Sequence, residues 1–197
     1  MAGRAPRPHR RDRSGLDGAR FAVVAARFNE RISKRLLAGA MQALSSAGVI
    51  DEAVEVHWVP GSFELPQAAA LLARSGRYAA IVCVGVVIRG ETPHFDFVAG
   101  QAAAGIQQVA LETGVPATFG VITALTEAQA LARSGGEVGN RGQEAAEAAL
   151  EMAAFVHAQR SRKGGSSGGG PRRRRARAGS APDRRGGGAL RGRPGSE

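Results

Sequence analysis

The sequence predicts an α/β fold: a parallel sheet with helices covering both of its faces. Three observations lead there. Short apolar runs rich in β-branched residues recur through the middle of the chain, as central parallel strands require. Segments with apolar residues at helical spacing lie between them. The two kinds alternate, an order that suits crossover connections in a single sheet.

Each element follows in turn. Phe21–Ala26 reads as a short buried strand. In Ile32–Ala47 the residues Ile32, Leu36, Leu37, Ala40, Met41 and Leu44 form a helical stripe, closed by Gly48. Ala53–Trp58 alternates like a strand, and Leu65–Arg74 is helical up to Gly76. Ala79–Val87 is a continuous apolar run, suited to a central strand. Phe95–Glu112 predicts a long helix that Gly114 and Pro116 end, and Ala117–Thr123 supplies the fourth core strand. Two further helices, Glu127–Arg133 and Arg141–His157, flank a Gly-rich turn at Ser134–Gly139. Gln101–Ile106 and Ala145–Ala154 are rich in Ala, which lets helices approach closely within one chain or between two.

Charge divides the chain of 197 residues into three parts. Residues 1–20 hold six Arg and two Asp, net +4; residues 21–159 hold nine basic and thirteen acidic residues, net −4; residues 160–197 hold twelve basic and two acidic residues, net +10. The high isoelectric point therefore belongs to the ends. Both ends are rich in Arg, Gly, Pro and Ser without periodic apolar positions, so a disordered basic extension over 1–20 and a disordered tail over 160–197 are expected to flank one domain over 21–159. The run Arg172–Arg175 suggests nonspecific contact with nucleic acid, but the tail has no aromatic residue for base stacking. Cys83 is the one cysteine, so no intrachain disulfide forms. His9, His57, His94 and His157 are scattered, and no metal site is expected. No apolar run is long enough to span a membrane, and residues before Phe21 offer no apolar stretch for a signal peptide. A cytoplasmic location is the expectation.

The densest chemistry lies at Gly85–Val98, GVVIRGETPHFDFV. A strand there ends in a polar turn that opens a helix. Ligands of open α/β sheets bind beyond the carboxyl ends of strands, and a helix start offers N–H groups to an anion. His94 adds the side chain whose ordinary pKa lies nearest neutrality. No glycine fingerprint of the dinucleotide-binding type follows the first strand, which argues against a nucleotide-binding relative on the same sheet.

The spelling of this segment resembles the signature of the lumazine synthases, and other blocks extend the likeness. They are FAVVAARFNERI at Phe21–Ile32, VPGSFELP at Val59–Pro66, FGVIT at Phe119–Thr123 and EAQALARSGGEVGNRG at Glu127–Gly142. The resemblance covers about Phe21 to Gln159, with blocks in the family's order. It implies a flavodoxin-like three-layer sandwich on a four-stranded parallel sheet. It implies the condensation of 5-amino-6-(D-ribitylamino)uracil with 3,4-dihydroxy-2-butanone 4-phosphate, giving 6,7-dimethyl-8-ribityllumazine, phosphate and water. It implies homo-oligomers built on pentamers, in some members a shell of sixty subunits, and association with riboflavin synthase.

The same resemblance assigns roles. Phe28 corresponds to the ring-stacking aromatic. Ser62, Phe63 and Glu64 correspond to binders of the ribityl chain, and Val87 and Ile88 offer backbone groups to the pyrimidine. Glu91, Thr92 and Arg133 correspond to the phosphate site, His94 to the acid/base, and Phe119 to an aromatic that covers the ring from a neighbouring subunit. Arg141 stands where the family commonly has Lys, so the charge is kept but a planar guanidinium replaces a compact ammonium. Phe97 replaces a frequent Tyr. Only Lys34 and Lys163 are present, so the imine is expected to form between the two substrates and not on the protein. No cofactor is expected.

Overall fold

All six residues of β1 (Phe21–Ala26) are buried. A strand covered on both faces belongs in the middle of a sheet, and β1 lies between β2 (Val54–Val59) and β3 (Ala80–Ile88). β4 (Ala117–Ala124) pairs with the far side of β3, so the order is β2-β1-β3-β4 and every pairing is parallel. Phe21 faces Val54 on one side and Ala80 on the other, which brings Ala26, Val59, Ile88 and Ala124 to the same end. The computed structural model describes residues 15–165.

Alternate residues of each strand feed two cores. On one face Phe21, Val23, Ala25, Val82 and Val84 meet Ile32, Leu36, Ala40 and Leu44 of α1 (Glu30–Ser46). They also meet Ala145, Ala146, Ala149 and Leu150 of α5 (Arg141–Gly165). On the other face Ala22, Val24, Ile81 and Cys83 meet Leu65 and Ala69 of α2 (Leu65–Arg74) and Ile106 and Val109 of α3 (His94–Thr113). This is the three-layer α/β sandwich on four parallel strands expected from the sequence. Burial holds the Cys83 thiol far above its ordinary value, pushed up to about 12.

Element boundaries match the sequence reading within two residues, with two exceptions. The Gly-rich stretch after α4 (Glu127–Ala132) is an antiparallel hairpin, β5 (Ser134–Gly136) with β6 (Gly139–Asn140). Gly135 and Gly139 supply the positive φ values, 103° and 106°, that the hairpin needs. Such glycines have little strand propensity, so the sequence reads only as a turn. The last helix runs to Gly165, beyond His157, and Arg160 Nη2 donates to the Gly114 carbonyl at 3.1 Å. The expectations for residues 1–14 and 166–197, the Arg172–Arg175 run included, lie outside the described residues.

At the amino half of edge strand β2, the Glu55 carboxylate accepts from Tyr78 and pairs with Arg20 (2.5 Å) and Arg77 (3.1 Å). His57 Nε2 lies 3.5 Å away. The Tyr78 hydrogen bond, then the Arg20 and Arg77 guanidiniums, hold Glu55 below the ordinary carboxylate range against the opposing effect of burial. Among the described residues no helix is long and apolar enough to cross a membrane.

Candidate active site

The strand order reverses direction at β1: the chain passes from β1 to β2 on one side, then returns to β3 on the other. Open α/β sheets leave a crevice beyond the carboxyl ends at such a point. Three loops meet there, following β1, β2 and β3. They enclose a cleft of about 480 Å³.

The β1 loop delivers Phe28. Arg27 and Phe28 donate their N–H groups to the carbonyls of Val59 and Pro60 at 2.8 and 3.0 Å, which ties this loop to the turn after β2. The Phe28 ring lines the cleft and is 71% exposed. An aromatic this open at the mouth of a cleft is a face on which a planar ring can stack.

The β2 turn delivers Ser62, Phe63 and Glu64, all lining the cleft. Glu64 folds back, and its Oε2 accepts from the Gly61 N–H at 2.8 Å, which fixes the turn. Ser62 is only 5% exposed, yet its Oγ has no hydrogen-bond partner among the described residues. A buried hydroxyl without a partner calls for an explanation. Here the residue borders the cleft while its Oγ turns under the strand toward Gly85.

The β3 loop delivers Val87 and Ile88 at the strand end and then Thr92 and His94. His94 is the first residue of α3, so its imidazole stands where the helix presents free N–H groups and its positive end. Phe95 and Val98 share that helix face and close the wall. Arg89 is drawn off: Nη2 lies 3.1 Å from Asp96 Oδ2, and the guanidinium sits 5.4 Å over the Phe95 ring. The cleft thus combines aromatic faces, polar groups for hydroxyls, an anion-favouring helix start and an imidazole.

Phe28, Ser62, Phe63, Glu64, Val87, Ile88, Thr92 and His94, each singled out in the sequence, converge on this cleft. Glu91 is exposed beside it and is not part of its lining. Phe119, Arg133 and Arg141 do not reach it within one chain. Phe119 sits on edge strand β4, is 41% exposed, and lines a separate hollow with Arg141 and Glu144. Arg141 is held there by the Glu144 carboxylate. Arg133 turns its Nη1 back to the Gln129 carbonyl of α4 at 3.0 Å. Pro60, Gly61, Val86, Gly90, Phe95 and Val98 also line the cleft and were not assigned from the sequence. The four-residue spacing of His94 and Val98 on one helix was the available signal for Val98.

Residues 18–157 match the family model for 6,7-dimethyl-8-ribityllumazine synthase. The chain is 49% identical over 136 residues to the 6,7-dimethyl-8-ribityllumazine synthase of Desulfatibacillum aliphaticivorans, covering 69% of this chain and 88% of that protein. It is 51% identical over 142 residues to that of Salinibacter ruber, covering 72% of this chain and 90% of that protein. The chloroplastic 6,7-dimethyl-8-ribityllumazine synthase of Arabidopsis thaliana is 50% identical over 139 residues, covering 71% of this chain and 61% of that protein.

Proposed function

The chain belongs to the 6,7-dimethyl-8-ribityllumazine synthase family, and we propose that the cleft under Phe28 is where it joins its two substrates. It is a transferase of riboflavin biosynthesis that condenses 5-amino-6-(D-ribitylamino)uracil with 3,4-dihydroxy-2-butanone 4-phosphate. The observation that carries the site reading is the convergence of groups from three loops on one cleft beyond the strand ends.

In this reading the uracil ring stacks on Phe28, with Val87 and Ile88 offering backbone groups to its edge. The ribityl chain lies along Ser62, Phe63 and Glu64, which line one side of the cleft. The phosphate takes the backbone N–H groups of Glu91 and Thr92, the Thr92 hydroxyl, and the Arg133 fork. The amine of one substrate condenses with the ketone of the other, expelling a first water to form an imine; phosphate is then eliminated, and the ring closes with loss of a second water. Each step moves a proton, and His94 carries it. Holding both substrates together supplies much of the remaining rate. Lys34 is engaged with Glu30 at 2.8 Å on α1, in keeping with an imine that forms between the substrates.

We propose further that the working form is a homo-oligomer built on pentamers, in which a neighbouring copy brings Phe119 and Arg133 to the cleft, with Arg141 beside Phe119. Two features support this. Phe119 and Arg141 share one surface hollow on the β4 side of the sheet, remote from their own chain's cleft lining. α3 also leaves Phe97, Ala103, Ala104 and Leu111 exposed. Assembly into a sixty-subunit shell, association with riboflavin synthase, and contact of the basic tail with nucleic acid belong to the same proposal. A single buried thiol suits a reducing compartment, and the proposed location is the cytoplasm.

Mixing the two substrates with the protein and following lumazine absorbance tests the activity. Product should form without added metal or cofactor. No product from either order of addition would overturn the reading.

A further inference from the structure

Among the described residues, Asn29 is the one non-glycine residue with a left-handed backbone, φ 59° and ψ 47°. Most side chains avoid that region because Cβ crowds the following carbonyl oxygen; Gly enters freely, and Asn and Asp more readily than the rest. Backbone strain of this kind persists where the surroundings impose it, and it gathers at functional sites.

The surroundings of Asn29 impose it from both sides. Up to Phe28 the chain continues the line of β1, with the Arg27 and Phe28 N–H groups bound to Val59 and Pro60 carbonyls. From Asn29 onward it is committed to α1, whose Ile32 and Ser33 N–H groups donate to the Asn29 carbonyl at 2.9 and 3.2 Å. One residue must convert extended chain to helix, and the residue directly before it carries the exposed ring over the cleft. The Asn29 side chain makes no capping hydrogen bond to α1, so its amide is not what holds this corner.

We propose that Asn29 is a positioning residue for the aromatic subsite: its left-handed backbone, not its amide, sets Phe28 over the cleft. The proposal rests on the reading of that cleft as the substrate site. A residue that resists the left-handed region relaxes the corner, swings Phe28 away and weakens the stacked ring, while the phosphate groups on the β3 loop stay in place.

Four variants of the full chain test it: Asn29→Gly, Asn29→Asp, Asn29→Ala and Asn29→Val. Each is titrated at equilibrium with the lumazine product and assayed for the KM of both substrates, with circular dichroism to check folding. Asn29→Gly and Asn29→Asp should bind the lumazine within about threefold of the parent. Asn29→Val should bind about tenfold more weakly, the ratio that a left-handed penalty of about 1.4 kcal/mol converts to. Asn29→Ala should follow it in direction and serves alone if the Val variant does not fold. The KM for the butanone phosphate should move less than about threefold throughout. Two results overturn the proposal: binding by Asn29→Gly as weak as by Asn29→Ala, which would make the amide the active part, or parent-like binding by Asn29→Ala and Asn29→Val. A parent chain that binds no lumazine would instead remove the site reading itself, and this proposal with it.

Discussion

Gly85 and Ser62 meet beneath the cleft: a Cβ on Gly85 would stand 2.7 Å from Ser62 Oγ and 3.1 Å from the Ala26 Cβ. The strand can pass under the site only because it has no side chain there. Gly85→Ala should push Ser62 toward the cleft and cost about 1–3 kcal/mol of stability, as overpacking does. The KM for the uracil substrate should rise several-fold. Urea melts and steady-state kinetics check this; parent values in both would show that Ser62 moves aside freely.

His94→Ala should lower kcat by about 10²-fold or more, within the usual range for a positioned acid/base. Lumazine affinity should stay within a few-fold, because a proton carrier acts chiefly in the transition state. Residual turnover should remain from proximity alone. Parent-level kcat would strip His94 of the role.

Arg133→Ala should raise the KM for the butanone phosphate far more than that for the uracil, and Arg133→Lys should recover only part of the loss, since the fork geometry is gone. Equal effects on both substrates would show that Arg133 does not serve the phosphate.

Acid should expose the Glu55 cluster. Its partners hold the Glu55 pKa below the ordinary 4.5. A carboxylate depressed on folding contributes stability that is present above its unfolded pKa and is lost as pH falls through the folded one. The parent should therefore be more thermostable than Glu55→Gln at pH 7, and the gap should close as pH falls below about 4.5. Melting curves across that range decide it; a gap that widens toward acid would reverse the assigned sign.

A chain of residues 15–165 should form the same oligomer as the full chain by light scattering, because it keeps both faces of the sandwich and every contact described above. The full chain alone should carry nucleic acid at low salt and release it steeply as salt rises. A folded monomer of residues 15–165 at micromolar concentration would refute the assembly.

β1 and β3 were legible because burial on both faces leaves an apolar run, as in Ala80–Ile88, and edge strand β2 was legible from its alternation. α2 was legible to the residue, since its stripe is bounded by Pro66 near the start and Gly76 just past the end. The β5–β6 hairpin was not, because its glycines carry conformation without pattern. Within the site, the strand–turn–helix junction after β3 pointed to His94 by fold logic, whereas Phe28 and Ser62 were placed by the family resemblance. Phe119 could not be placed by its position: it lies within strand β4, opposite Cys83, and does not line its own chain's cleft. Asn29 escaped notice because nothing in its spelling separates a left-handed Asn from an ordinary helix cap.

Cys83, at the centre of the sheet with its thiol held so far from ionisation, is silent toward reagents that need a thiolate. The chain is in effect cysteine-free to a maleimide. A cysteine introduced at an exposed position away from α3, for instance at Gln42 on α1 across the sheet, can therefore carry a single fluorophore per subunit without first removing the native one. Subunit exchange and assembly can then be followed by energy transfer on an otherwise unaltered protein.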